Sequence, residues 1–188
     1  MALVQKTQND SYTYSDVLEW EEDYRAELLD GEIVMMAPPS RAHQGIVAQL
    51  MLQIGNHLRG KKCKVYPAPF AVRLFPRKDH RDDTVFEPDI VVVCDPEKLD
   101  EKGCNGPPDL IIEIISPSSA KYDRIYKFRK YQKAGVREYW IVDPETKSVQ
   151  VCILDNDRYV VSVYDETEKA KISVLEGCEI DLPAVFAE

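Results

Sequence analysis

The chain has 188 residues, of which 44% are hydrophobic and 30% charged, and its formal net charge is −9. That length suits one domain with a sizeable core, and the composition is that of a soluble globular protein. No stretch approaches the roughly 18 apolar residues that span a bilayer, the opening MALVQKTQNDSYTYSD holds no apolar signal core, and the acidic balance argues against general nucleic-acid binding, because phosphate contacts need Lys and Arg.

In chain order, residues 15–24 read as a short helix that Ser15 can cap. AELLDGEIVMM follows, with Asp30–Gly31 between apolar runs as a hairpin signal. Residues 41–59 place Ile46, Val47, Leu50, Met51, Ile54 and Leu58 at helical spacing, which predicts an amphipathic helix. From Cys63 to Phe75 the pattern is that of a strand, and 76–87 is a charged loop. The runs 88–94 and 109–116 are near-continuous apolar strands suited to burial on both faces, separated by an Asp-, Gly- and Pro-rich loop. SPSS then starts a helix that runs to about Ala134, with Gly135 placed for a left-handed C-terminal residue. Residues 137–142 form a further buried strand, 147–165 a hairpin, and the tail one or two short strands. A strand–helix–strand unit over 109–142 implies a right-handed parallel crossover, so the expected fold is an α/β (α+β) mixed sheet with helices on its faces and added β-hairpins at both ends.

Five cysteines occur, an odd number with no CxxC pair, so neither a disulfide framework nor a zinc knuckle is expected. Core thiols and a reducing cytoplasm fit best. Charge is unevenly spread: Asp10 to Glu32 holds nine acids and one base, whereas Lys121 to Arg137 holds seven bases and one acid. His43, His57 and His80 show no ligand spacing, which argues against a zinc hydrolase.

Glu113 lies among Ile111, Ile112, Ile114 and Ile115. Hard divalent cations such as Mg²⁺ take oxygen ligands, typically one or two carboxylates with water and substrate phosphate. Asp109 is a poor partner for Glu113, since four residues of strand separate the two by roughly 13 Å. Asp89 is better placed: if strands 88–94 and 109–116 are neighbours, the two acids approach across a ladder spacing of ~4.8 Å. Ile115 shares the face of Glu113 but is no lysine. A lysine of the following helix could supply that charge; Lys127, bordering the apolar stripe of Tyr122, Ile125, Phe128 and Tyr131, is the first candidate and Lys130 the second.

Pro88–Asp89, then twenty-three residues, then Glu113 resembles the PD-(D/E)xK nuclease superfamily with its lysine displaced. The string IEIISPSSAKYDRIYKFRKYQKAGVREYWIVDP, residues 112–144, resembles the signature of one bacterial family within it, the Uma-two family of restriction-endonuclease-like proteins. Glu113, Ser116, Pro117, Ser118, Asp123, Lys127, Tyr131, Gly135, Glu138, Trp140 and Asp143 carry the match there, and Glu27, Asp30, Gly31, Glu32, Pro39, Ser40 and His43 extend it upstream. The resemblance implies a restriction-endonuclease-like core over about 41–144 within one domain of 1–188, preceded by a helix and hairpin at 15–37 and followed by a β extension at 145–188. It implies Asp89 and Glu113 as metal ligands, the Ile114 carbonyl completing the shell, and Lys127 as the displaced lysine. The superfamily often has a glutamate in its first core helix, and 41–59 contains none. Glu27 or Glu32 on the preceding hairpin, or His43 or Gln44 at the helix start, could serve instead; Glu27 and His43 are taken as the site candidates, a surface hairpin acid being the alternative for Glu27. The implied activity is Mg²⁺-dependent endonucleolytic hydrolysis of DNA, with Mn²⁺ as substitute and, by analogy, a homodimer. The alternative is a nuclease fold used as a binding or interaction module without turnover.

Overall fold

The computed structural model describes residues 11–19 and 26–187. Helix α1 spans Tyr14–Val17, and the Asp16 carboxylate accepts from the Thr13 N–H at 2.7 Å. The cap is therefore Thr13, not Ser15, and the expected continuation of this helix over 20–24 lies outside the described residues. Strands β1 (Ala26–Leu29) and β2 (Glu32–Met35) form the expected antiparallel hairpin. Asp30 and Gly31 turn it with φ of 52° and 82°, the left-handed pair that a two-residue hairpin loop requires.

Helix α2 (Arg41–His57) starts where the Ser40 hydroxyl accepts from the His43 N–H at 3.2 Å. Its apolar stripe of Ile46, Leu50 and Ile54 is buried; each such side chain contributes roughly 1.5–3 kcal/mol. Next come β3 (Lys64–Pro67), β4 (Val72–Arg73), β5 (Val85–Phe86), β6 (Ile90–Val93), β7 (Leu99–Asp100), β8 (Gly103–Asn105) and β9 (Leu110–Ile114). A π-helical turn over Tyr122–Lys127 runs into α3 (Phe128–Ala134), which ends at Gly135 with φ of 87°. Then follow β10 (Glu138–Asp143), β11 (Ser148–Asp155), β12 (Arg158–Asp165), β13 (Lys169–Lys171), β14 (Glu179–Asp181) and α4 (Leu182–Phe186).

The larger sheet has the order β12-β11-β10-β9-β6-β3. β9 and β10 are parallel, joined by the helical segment, and every other pair in this sheet is antiparallel. Because side chains alternate, Ile90, Val92, Leu110 and Ile112 pack against α2, α4 and the C-terminal strands. Val91, Val93, Ile111 and Ile115 pack on the other face, with α3 and a second sheet.

That second sheet, β2-β1-β5-β4-β8-β7, departs from expectation. The single strand read over 63–75 is two, β3 and β4, which belong to different sheets and flank a cis Ala68–Pro69 bond. The loops at 76–87 and 95–108 contain β5 and the β7–β8 hairpin. Strands of two or three residues show no alternation of their own, and long-range pairing holds them in place.

The expectation of no disulfide is also corrected. Cys63 and Cys94 are bonded, immediately beyond the facing positions Lys64 and Val93 of β3 and β6. Cys104, Cys152 and Cys178 are buried free thiols. Among the described residues no helix is long and apolar enough to cross a membrane.

Candidate active site

β6 and β9 pair with Ile90 facing Ile112 and Val91 facing Ile111. One step further along that register sets Asp89 opposite Glu113, with both side chains on the sheet face that α3 covers. Asp109, at the far end of β9, is engaged elsewhere: its carboxylate accepts from the Cys94 N–H at 2.7 Å and from Arg137 at 2.9 Å.

The hydrogen bonds of Asp89 converge on Oδ2, which accepts from the Ile114 N–H at 2.8 Å and lies 3.1 Å from His43 Nε2. His43 reaches it from the first turn of α2, where the Ser40 cap fixes the helix start. Those of Glu113 converge on Oε1, which accepts from Lys127 Nζ at 2.8 Å and from the Tyr131 hydroxyl at 2.7 Å. Lys127 also donates to Glu27 Oε1 at 2.9 Å, an oxygen that the Glu87 N–H binds at 2.9 Å. Asp123 Oδ1 stands 3.6 Å from Lys127 Nζ. The ammonium lies 5.5 Å from the centre of the Phe86 ring and 5.4 Å from that of Tyr122, distances at which a ring face attracts a cation.

Glu27 is 2% exposed, Glu113 4%, Asp123 3% and Lys127 3%, so these charges are withdrawn from water and must answer to one another. Burial pushes Glu113 well above the usual carboxylate range; Lys127 opposes the shift, and Asp123, Asp89 and Glu27 add to it. Asp123 is likewise raised, by burial first, against the pull of Lys127. Burial alone would draw the Lys127 ammonium down, but Glu113, Glu27 and Asp123 together hold it well above its ordinary value. Lys127 is therefore a fixed cation at neutral pH, not a base.

All six residues expected at the site, Glu27, His43, Asp89, Glu113, Ile114 and Lys127, line one cavity of about 740 Å³. Glu27 is no surface hairpin acid: the pairing of Leu28 with Val85 draws the hairpin inward. Lys130, the second lysine candidate, turns away to Asp30. Three further residues belong to the site. Tyr131 and Asp123 sit four positions either side of Lys127, a spacing that puts all three on one helical face. Tyr122, which helical spacing assigns to an apolar stripe, lines the cavity with a buried hydroxyl that has no hydrogen-bond partner among the described residues. His43 Nδ1 is in the same position.

The donor set suits a hard cation. Asp89 Oδ1 and Glu113 Oε2 take no hydrogen bond among the described residues, and with the Ile114 carbonyl they are oxygen donors of the kind Mg²⁺ accepts. Among the described residues no three His, Cys, Asp or Glu side chains gather as a ready ligand set. The arrangement among the described residues is thus one of two facing carboxylates, not an all-protein cage.

A family profile described as "Putative restriction endonuclease", Uma2, matches residues 14–183. The chain is 28% identical over 145 residues to an uncharacterised protein of Synechocystis sp., covering 76% of this chain and 74% of that one. It superposes on the crystal structure of a protein from Anabaena variabilis described as "a putative nuclease", with a TM-score of 0.74 and 19% identity over 93% of this chain and 97% of that one. At that identity the likeness is one of fold.

Proposed function

The chain belongs to the Uma2 family, and on that premise we propose that it is a Mg²⁺-dependent endonuclease that hydrolyses DNA phosphodiesters at the Asp89–Glu113–Lys127 cavity. The observation that carries this reading is the convergence of Lys127 on Glu113, at 2.8 Å, in the cavity that Asp89 also lines. Two facing carboxylates with a buried lysine beside them combine oxygen ligands with a fixed cation, the parts that phosphodiester hydrolysis requires.

Asp89, Glu113 and the Ile114 carbonyl would hold the cation, which would supply Lewis-acid activation of water and of the phosphate. The Ile114 N–H and His43 pin one oxygen of Asp89 and so aim the other at the cavity. Lys127 and Tyr131 do the same for Glu113. Lys127, kept protonated by three carboxylates, faces the negative charge that gathers on the phosphate as the bond breaks. The Tyr122 hydroxyl can offer a substrate oxygen one hydrogen bond, and His43 Nδ1, with Nε2 donating to Asp89, can accept one.

Plasmid DNA incubated with the protein tests this reading. Nicking or linearisation is expected with Mg²⁺ or Mn²⁺, and its loss in the Glu113→Gln variant. Cleavage that persists in that variant with Mg²⁺ present would remove the site from the reading. Wild-type protein that binds DNA without cutting it under any divalent cation would establish the binding module instead.

A further inference from the structure

We propose that the cavity receives one unpaired DNA strand, with a phosphate at Asp89 and Glu113 and the neighbouring bases on the apolar wall and on Tyr126, and that paired DNA is excluded from it. The choice of polymer rests on the nuclease reading. The preference for an unpaired strand rests on the depth, charge and lining of the cavity.

The acids that a phosphate must reach are recessed. Glu113 is buried and the side chain of Asp89 is 16% exposed, in a cavity of about 740 Å³. That volume lies in the range of ≈300–1,000 Å³ that encloses one small ligand. It admits part of a single strand but not the breadth of a double helix.

Charge points the same way. A duplex carries a phosphate about every 1.7 Å of its axis, and proteins hold it with Lys and Arg. Among the described residues that line the cavity are five carboxylates and a single Lys or Arg, Lys127, which three of those carboxylates already surround. The basic run from Lys121 to Arg137 does not make up the lack. Arg124 is engaged by Asp143, Lys130 by Asp30 and Arg137 by Asp109, and Lys133 lies 5.7 Å from the centre of the Phe75 ring. Lys121 and Arg129 remain exposed.

What the lining offers instead is apolar surface. Val34, Met35, Met36, Ala37, Pro38 and Pro39 all line the cavity, and Met35 is 56% exposed. The Tyr122 ring lines it too, and the Tyr126 ring stands 6.1 Å from that of Tyr122, tilted by 41°. Tyr126 is 44% exposed, an aromatic side chain left open beside the cavity wall. In a duplex the base faces are stacked on one another, and a protein meets only phosphates, sugars and base edges. An unpaired strand can lay its base faces on aromatic side chains, whatever its sequence. Apolar surface beside a phosphate site therefore matches the unpaired strand.

Fluorescence anisotropy of a short labelled oligonucleotide, single-stranded or annealed to its complement, tests this. Ca²⁺, which also takes oxygen ligands, replaces Mg²⁺ so that binding is read apart from cutting. The single strand should bind at least tenfold more tightly than the duplex. Tyr126→Ala should weaken strand binding roughly five- to a hundredfold, and Tyr126→Trp should preserve it. With Mg²⁺, negatively supercoiled plasmid, whose torsion favours strand opening, should be nicked, and the same plasmid relaxed and covalently closed should not. Cleavage of both plasmid forms alike would overturn this proposal and leave the nuclease reading intact. Equal affinity for strand and duplex, no binding of the strand, or binding indifferent to Tyr126→Ala would also overturn it. Selective strand binding with no cleavage under any divalent cation would uphold it and remove the nuclease reading.

Discussion

Lys127→Met removes the one cation that Glu27, Glu113 and Asp123 share, while keeping much of the side chain's length. All three carboxylates are buried, and Lys127 Nζ stands 2.9, 2.8 and 3.6 Å from them. Stripping one partner from a buried ion pair costs roughly 3–5 kcal/mol. For a chain of 188 residues that is a fall in Tm of roughly 6–20 °C. The cost depends on pH in a definite sense. Glu113 and Asp123 already have folded-state pKa values above their unfolded ones, and Lys127 is the group that holds both down. Without it they rise further, so the folded state binds more protons than the unfolded one. The variant's deficit should thus be largest at neutral pH, once the unfolded carboxylates have ionised, and shrink as pH falls towards their ordinary range. Thermal or urea unfolding of both proteins at neutral and at mildly acidic pH measures this. A variant as stable as wild type at neutral pH, or a deficit constant across pH, would refute the reasoning.

Asp89→Asn should abolish the Mg²⁺ binding heat in calorimetry and the metal-dependent nicking, yet cost no more than about 1 kcal/mol, because the amide oxygen can still accept from Ile114 N–H at the 2.8 Å contact. Tyr131→Phe deletes the 2.7 Å hydrogen bond to Glu113; a bond to a charged group is worth roughly 1.5–3 kcal/mol, which urea unfolding should register as a lowered midpoint with an unchanged slope. Reducing Cys63–Cys94, which closes 31 residues, should cost roughly 2–4 kcal/mol; thermal unfolding with and without dithiothreitol should show the drop, and the Cys63→Ser/Cys94→Ser chain should not respond to the reductant.

The long apolar runs were the readable part of this sequence. PDIVVVC and DLIIEII can lie nowhere but the centre of a sheet, and once they are neighbours the pairing of Asp89 with Glu113 follows from side-chain alternation. The second sheet was not readable, because β4, β5 and β7 are two residues each and draw their order from strands distant in the chain. Glu27 shows the same limit: its burial depends on Leu28 meeting Val85, which nothing local to the hairpin encodes. Tyr122 and Tyr131 sit at spacings that serve a core and a site alike; only the Tyr131 hydroxyl's bond to Glu113 and the place of Tyr122 in the cavity wall tell the two apart. The Cys63–Cys94 bond depends on the β3–β6 register, so an odd count of cysteines with no close spacing could not announce it.

Lys127 also joins two distant moments in the making of the chain. It bridges Glu27 of the smaller sheet to Glu113 of the larger one, and its partners lie 100 and 14 residues away. The nearer contact can form as soon as β9 and its helix exist. The farther one closes a loop of 100 residues, about half of the chain, and the entropy of such a closure slows its formation. As the chain leaves the ribosome, the hairpin carrying Glu27 waits for the lysine that will neutralise it. The cavity is complete only when the two sheets have docked, so the site takes shape with the long-range contacts of the fold and not before them.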